Sequence, residues 1–320
     1  MSKKNICVVG AGYWGKNHIR TLHELGSLGG IVEQKKDLLG KMTKQYPTAK
    51  TYQNLDEALG NEDFFGFTVA TPAETHHDIA VQIIKSGRHV LVEKPLCLNI
   101  KDAENMVNLA KQYKVNLMVG HVLLFHPAIQ MIKSLIDEGK IGKLQYIYSN
   151  RLNLGQVKTE ENVFWSLAPH DISIFQYLID SYPESIVANG STFLQEGIND
   201  STITQFKYTN GIEGHIFVSW LHPFKEHRLV VIGSEAMITF EDSSEGKPLK
   251  LYRKNFYLNK GTPEKIDGPI ELIKYDQRMP LTHELRYFIN HLNMKKPIIS
   301  SGQHALEVTK ILVEASNQLK

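Results

Sequence analysis

The 320-residue chain has only two cysteines, Cys7 and Cys97. Both lie in apolar stretches at a separation that matches no metal-ligand spacing. This excludes a disulfide framework and a cysteine zinc site, and it leaves two reduced core residues. No run approaches the roughly 20 apolar residues of a membrane span. Met1-Ser2-Lys3-Lys4 begins like a signal peptide, but a glycine-rich turn follows where an apolar core would continue, so the expected compartment is the cytoplasm. An excess of charge is missing too. Thirty-six Lys and Arg against 34 Asp and Glu leave a formal net charge of +2. The basic residues are scattered, which argues against nucleic acid and a membrane surface as partners. His76-His77, His121 and His126 fit no zinc pattern, so no metal is expected. There is no internal repeat and no low-complexity stretch. What remains is a chain 42% hydrophobic and 22% charged, longer than one core usually supports. It reads as an ordinary two-domain globular protein.

The first part alternates short apolar runs with helical patterns, the signature of βαβ units. Strands are expected at Ile6 to Val9, Gly30 to Val32, Phe65 to Ala70, His89 to Val92 and Asn116 to Val119. Several lack polar alternation, as strands covered on both faces do. Helical spacing joins Ile19, Leu22 and Leu25, then Ile79, Ile83 and Ile84, then Met106, Leu109 and Ala110. Residues 1–121 therefore read as a doubly wound α/β domain. Beyond them the pattern predicts helices over Pro127 to Asp137 and Pro169 to Ile179. Alternating strands follow at Ser185 to Thr192, Thr202 to Tyr208, Gly211 to Trp220, Arg228 to Gly233 and Ala236 to Glu241. Asn210-Gly211 and Gly233-Ser234 suggest hairpins. Helices are expected again at Leu281 to Leu292 and Gln303 to Leu319. Residues 122–320 thus read as an α+β domain with a large, mostly antiparallel, open-faced sheet.

Gly10-Ala11-Gly12-Tyr13-Trp14-Gly15 follows the first strand and opens the first helix. In that context GxGxxG marks a Rossmann dinucleotide site: Gly10 for the tight turn, Gly12 for approach to a pyrophosphate, Gly15 for helix packing, with Tyr13 and Trp14 beside them. Glu33 ends the second strand at about the 20-residue spacing at which an acid meets the adenosine ribose. A carboxylate there repels a 2'-phosphate, so the expected cofactor is NAD, although Lys35 and Lys36 follow immediately.

His89-Val90-Leu91-Val92-Glu93-Lys94-Pro95 carries a strand into a turn at its C-terminal end, where ligands gather in such sheets. Pro95 restricts the residue before it and admits a cis bond, so Lys94 is held rather than mobile. Three motifs now stand in order: the glycine turn, Ala70-Thr71-Pro72 with Glu74-Thr75-His76, and Glu93-Lys94-Pro95. Together they resemble the Gfo/Idh/MocA oxidoreductases (glucose-fructose oxidoreductase, inositol dehydrogenase and MocA), and the resemblance spans essentially the whole chain. It implies that Thr71, Pro72, His76, Glu93 and Lys94 border the cofactor, with Lys94 beside both the nicotinamide and the reacting hydroxyl. The family's Asp-x-Gly-x-His signature, with a further Asp three residues on, matches Ser166-Leu167-Ala168-Pro169-His170 and Ser173. His170 is retained; serines stand at both acid positions.

Alcohol oxidation needs a base for the O–H proton. His170, with an ordinary pKa of about 6.5, suits that role, while Lys94, ordinarily near 10.4, suits stabilisation of the forming alkoxide. The stretches around Tyr13-Trp14, Arg151-Leu152-Asn153, His170 and Trp220 are similar to a subgroup associated with bacterial surface polysaccharides. That likeness implies oxidation of the 3-hydroxyl of UDP-N-acetylglucosaminuronate or UDP-N-acetylglucosamine. Lys94, Arg151, Asn153, Trp165 and His170 are the expected substrate contacts. Lys158, Lys225 and Arg228 are further candidates for the anionic groups, and Trp220 for a ring platform. A free sugar or polyol substrate, and a non-catalytic sensor of NAD or a nucleotide sugar, remain alternatives. The open sheet face predicts pairing in a homodimer or homotetramer.

Overall fold

The computed structural model describes residues 5–293 and 295–319. They form two compact units, Met1–Phe125 with Arg278–Lys310 and His126–Gln277 with Ile311–Lys320.

In the first unit, six strands run parallel: β1 (Asn5–Val9), β2 (Leu28–Val32), β3 (Lys50–Tyr52), β4 (Phe64–Val69), β5 (His89–Glu93) and β6 (Leu117–Gly120). Their order is β3-β2-β1-β4-β5-β6, so the winding reverses between β1 and β4 and opens a crevice at the carboxyl ends of those strands. The connections carry helices α1 (Tyr13–Glu24), α2 (Lys36–Gln45), α3 (Leu55–Leu59), α4 (His76–Lys85) and α5 (Ile100–Gln112). Residues Ile6 to Val9 and Val90 to Val92 are all buried, which explains the absence of polar alternation. Cys7 and Cys97 are buried free thiols, both pushed up by burial, Cys97 to about 11. The five expected strands fall within two residues of those observed.

The second unit contains α6 (Pro127–Asp137), β7 (Leu144–Leu154), α7 (Val163–Ile179) and seven more strands. These are β8 (Ser185–Ser191), β9 (Ser201–Lys207), β10 (Glu213–Ser219), β11 (Leu221–Gly233), β12 (Met237–Glu241), β13 (Leu249–Asn259) and β14 (Thr262–Ile273). The sheet order is β14-β13-β12-β11-β7-β10-β9-β8. Every neighbouring pair is antiparallel except β7 with β10. Both predicted hairpins form, β9 to β10 and β11 to β12. Helix α7 covers one face, with Phe175 against Phe206. Tyr146, Tyr148, His215 and Phe217 lie on the other and stay half-buried.

Two differences from the sequence reading have local causes. Helix α7 starts at Val163, six residues before Pro169, because Asn162 caps it by accepting the Trp165 N–H and because Val163 and Phe164 are wholly buried. The proline that looks like a helix start is therefore an interior one. The tail forms α8 (Pro280–Asn290) and α9 (Gly302–Ser316), and residues Arg278–Lys310 cluster with the first unit rather than with the α+β domain they follow in sequence. Ser300 beside β6 gives the reason: Val119 N–H donates to the Ser300 carbonyl at 3.0 Å, which occupies the open edge of β6.

Candidate active site

The turn after β1 is built by close backbone approaches. Gly10 has φ +91°, and a Cβ there would meet the Ala70 carbonyl oxygen at 2.9 Å; a Cβ on Gly15 would lie 2.0 Å from the Gly10 carbonyl oxygen. A Cβ on Gly12 would meet nothing, so that position borders open space. Tyr13, 84% exposed, and Trp14 begin α1, whose first turn holds no acidic residue. The free N–H groups at this helix start therefore present uncompensated positive potential to an anion.

Glu33, just past β2, is fixed across this turn. Its carboxylate accepts the Ala11 N–H and the Lys35 N–H, each at 2.9 Å. Gly10, Gly12, Glu33, Lys35, Thr71 and Pro72 line a cavity of about 570 Å³, large enough for the adenosine part of a dinucleotide. Leu38, Asn54, Ile79 and Gln82 are among its other walls. The sequence reading missed these four because they arrive from three separate segments and belong to no motif themselves.

Thr71 and Pro72 follow β4. The Thr75 hydroxyl donates at 2.7 Å, within reach of both Thr71 Oγ1 and the Pro72 carbonyl. His76 was expected at the cofactor; the structure places it 1% exposed, behind the segments that border the crevice. Its Nε2 lies 2.9 Å from the Thr71 carbonyl oxygen and its Nδ1 2.8 Å from that of Pro95, so it ties the Thr-Pro and Lys-Pro turns together. Glu93 is likewise turned inward: Oε1 is 2.7 Å from His18 Nε2 on α1, and Oε2 accepts the Lys94 N–H at 3.2 Å. Lys94 is half-buried at the carboxyl end of β5, and the Lys94-Pro95 bond is cis. His121, at the end of β6, is a neighbour that no motif revealed. Burial, then His304 and Lys94, holds its imidazole well below the usual range, so it is neutral.

In the second unit His170 lies half-buried on α7, next to Asp171. Arg151 of β7, 9% exposed, grips Asp171 through two bonds, Nε to Oδ2 at 2.7 Å and Nη2 to Oδ1 at 3.0 Å. This fork anchors α7 to the sheet beside His170 and directs Arg151 at a protein carboxylate; its remaining Nη1 is 3.4 Å from His227 Nδ1. Asn153 shares the Arg151 face of β7 by strand periodicity. The Trp165 indole donates to Ser316 Oγ at 3.0 Å. Ser166 Oγ donates to Glu161 at 2.8 Å and Ser173 Oγ to the His170 carbonyl at 2.7 Å, so both serines serve α7 and its approach. Trp220 is core: 2% exposed, with Nε1 on Asp200 Oδ1 at 2.5 Å.

Such a glycine turn, an acid just past β2 that is fixed across it and a lysine at the end of β5, on one edge of a reversed parallel sheet, fit a dinucleotide-dependent oxidoreductase. Residues 4–121 match the oxidoreductase family with an NAD-binding Rossmann fold, Gfo/Idh/MocA, and residues 129–239 match that family's C-terminal domain. The chain belongs to the Gfo/Idh/MocA oxidoreductases, and its cofactor is NAD. The UDP-N-acetylglucosamine 3-dehydrogenase of Acidithiobacillus ferrooxidans is 22% identical over 298 residues, covering 92% of this chain and 90% of that protein. Its structure superposes with a TM-score of 0.87 over 100% of this chain and 98% of that one, at 19% identity. The myo-inositol 2-dehydrogenase of Thermotoga maritima is 24% identical over 253 residues, 75% of this chain and 76% of that protein. GenD2 from gentamicin A biosynthesis, solved with NAD, superposes with a TM-score of 0.83 over 99% of this chain and 94% of that one, at 20% identity.

Proposed function

We propose that the chain oxidises the 3-hydroxyl of a UDP-linked N-acetylamino sugar, with UDP-N-acetylglucosaminuronate as the first candidate, to a 3-keto sugar for bacterial surface polysaccharide synthesis in the cytoplasm. The observation that carries this reading is the placement of the glycine turn, Glu33 and Lys94 on one edge of one sheet. Similarity over nearly full length to a UDP-N-acetylglucosamine 3-dehydrogenase supports the choice of sugar.

In this reading Gly12 and the start of α1 receive the pyrophosphate, Glu33 the ribose hydroxyls, and Thr71 and Pro72 flank the cofactor. NAD, when bound, accepts the hydride. The Lys94 ammonium stabilises the alkoxide that forms as the O–H proton leaves, and His170 takes that proton. Asn153 and Trp165 meet the sugar, and Arg151 acts from behind by holding Asp171 and the helix that carries His170. The open sheet face, with Tyr146, Tyr148, His215 and Phe217, pairs with a second copy in a homodimer or homotetramer, whose mass light scattering would report directly.

Lys94→Ala is the decisive variant. NAD affinity stays within a few-fold of the parent, while turnover of UDP-sugars falls by about 10²–10³-fold, the usual cost of removing one transition-state donor. Near-normal turnover in that variant overturns the reading. Similarity to a myo-inositol 2-dehydrogenase favours a free polyol as the second reading. A panel of UDP-sugars against free sugars and inositols separates the two, because loss of the nucleotide removes much of the binding energy only in the first. Binding of NAD and sugar with no reduced nicotinamide formed on any member of the panel identifies a sensor instead.

A further inference from the structure

The first unit holds a second cavity, of about 490 Å³, away from the glycine turn. The strands of its sheet run parallel. Gly10, Thr71 and Lys94 follow the carboxyl ends of β1, β4 and β5, whereas Val115, Asn116 and Leu117 bring this cavity to the amino end of β6. It shares no lining residue with the cavity beside Glu33. Buried Val107, Ala110 and Leu117 give it an apolar floor, and Lys111, Lys114 and Lys296 stand exposed around it.

Three ammonium groups meet here without an acid. No Asp or Glu is among the described lining residues, and none of the three lysines is in an ion pair among the described residues. Lys114 has φ +56° where α5 ends, a position that helices usually give to glycine, so a cationic side chain is kept there against backbone strain. Asn116, also in the wall, is 9% exposed. Its Nδ2 donates to the His291 carbonyl at 2.7 Å and to the Lys295 carbonyl at 2.8 Å, while no donor reaches its Oδ1 among the described residues. A buried amide oxygen on a cavity wall calls for a donor from whatever fills the cavity. At the start of α9, Ser301 accepts the His304 N–H on Oγ at 3.3 Å and the Ala305 N–H on its carbonyl at 3.0 Å. The Gln303 N–H is left at the wall as a further donor to an anion.

We propose that this cavity binds an organic phosphate monoester whose body carries an O–H or N–H group. The phosphate lies among Lys111, Lys114, Lys296 and the Gln303 N–H, the body packs on the apolar floor, and its donor reaches Asn116 Oδ1. Three cations suit the dianion of a phosphate ester better than the single charge of a carboxylate. Inorganic phosphate alone leaves both the floor and the Asn116 oxygen unmet. The site depends neither on the sugar assigned above nor on the dinucleotide crevice.

The probe is 4-aminophenyl phosphate, added to the full chain already saturated with NAD. Calorimetry shows one equivalent bound, and in nitrogen–proton spectra the Gln303 amide moves while the amides of Gly10 to Gly15 stay in place. Phenyl phosphate, which lacks the donor, binds several-fold more weakly. Aniline, which lacks the charge, and inorganic phosphate, which lacks the body, bind at least about tenfold more weakly. The triple variant Lys111→Ala, Lys114→Ala, Lys296→Ala alters exposed side chains, so it keeps the urea midpoint and NAD affinity of the parent and loses at least about tenfold in affinity for the probe. No binding, equal affinity for phenyl phosphate or inorganic phosphate, or parent-like affinity in the triple variant overturns the proposal. So does a shift confined to Gly10 to Gly15, which would place the probe in the dinucleotide crevice.

Discussion

The two units hold their key side chains in different ways. In the first, most anchors are backbone atoms, the His18 imidazole on Glu93 and the Thr75–Thr71 hydroxyl pair being exceptions: the Gly10 carbonyl against Gly15, the Ala11 and Lys35 N–H groups on Glu33, the Thr71 and Pro95 carbonyls on His76, the Lys94 N–H on Glu93. In the second, side chain meets side chain: Arg151 with Asp171, Trp165 with Ser316, Ser166 with Glu161, Trp220 with Asp200. Backbone anchoring constrains which residue types fit at a position, above all glycine and proline. Side-chain anchoring constrains pairs that lie far apart in the chain. The first kind writes contiguous motifs and the second does not.

The contrast breaks most visibly at Gly15. Gly15→Ala puts a methyl 2.0 Å from the Gly10 carbonyl oxygen, where only backbone movement relieves the overlap. Titration of the variant with NAD should show a loss of binding of at least about 100-fold, a misplacement of the whole pyrophosphate turn. A side-chain-anchored site would tolerate one methyl group, so retained NAD affinity would erase the distinction between the units.

The second unit should fail in its own way. Arg151→Met leaves Asp171 buried without its partner and lowers unfolding stability by about 3–5 kcal/mol in urea titrations. The double variant Arg151→Met, Asp171→Leu should recover much of that loss, because no uncompensated charge remains. Equal loss in single and double variants would mean that packing rather than the ion pair anchors α7. Glu33→Ala is milder. It unpairs two N–H groups and removes the proposed ribose acceptor, so NAD affinity should fall by about tenfold, the worth of one charge-assisted hydrogen bond, and the preference for NAD over NADP should shrink. An unchanged ratio of the two cofactors would remove Glu33 from the ribose site.

Legibility followed the same line. The glycine turn, Thr-Pro and Glu-Lys-Pro were readable because each occupies adjacent positions and needs special backbone geometry. Strand β7 was invisible because Ser149 and Arg151 sit on its buried face, where an alternating pattern calls for apolar residues. Pro169 looked like a first helical residue because nothing local announces that Asn162 caps α7. His76 and Glu93 were found by motif, but that each ties one protein segment to another was not readable, since a motif marks proximity to a site without saying which way a side chain turns.

The smallest expected effect probes the side-chain network of the second unit by pH. Burial, then the charges of Arg151 and Lys225, lowers the His227 imidazole from 6.5 to about 3. Between those values the unfolded chain binds a proton that the folded protein excludes, so stability rises with pH across the window and is lost on acidification. His227→Gln, which cannot titrate, should lose less stability than the parent, by about 1 kcal/mol over the first pH unit below the unfolded value. Asp242, also lowered in the folded state, acts in the same direction in both proteins and drops out of the difference, because Lys247, His126 and Arg151 rather than His227 hold it down. Parallel stability curves for the two proteins down to acid pH would mean that water reaches His227 freely, and that the Arg151 fork beside His170 is a solvated surface pair rather than a buried anchor.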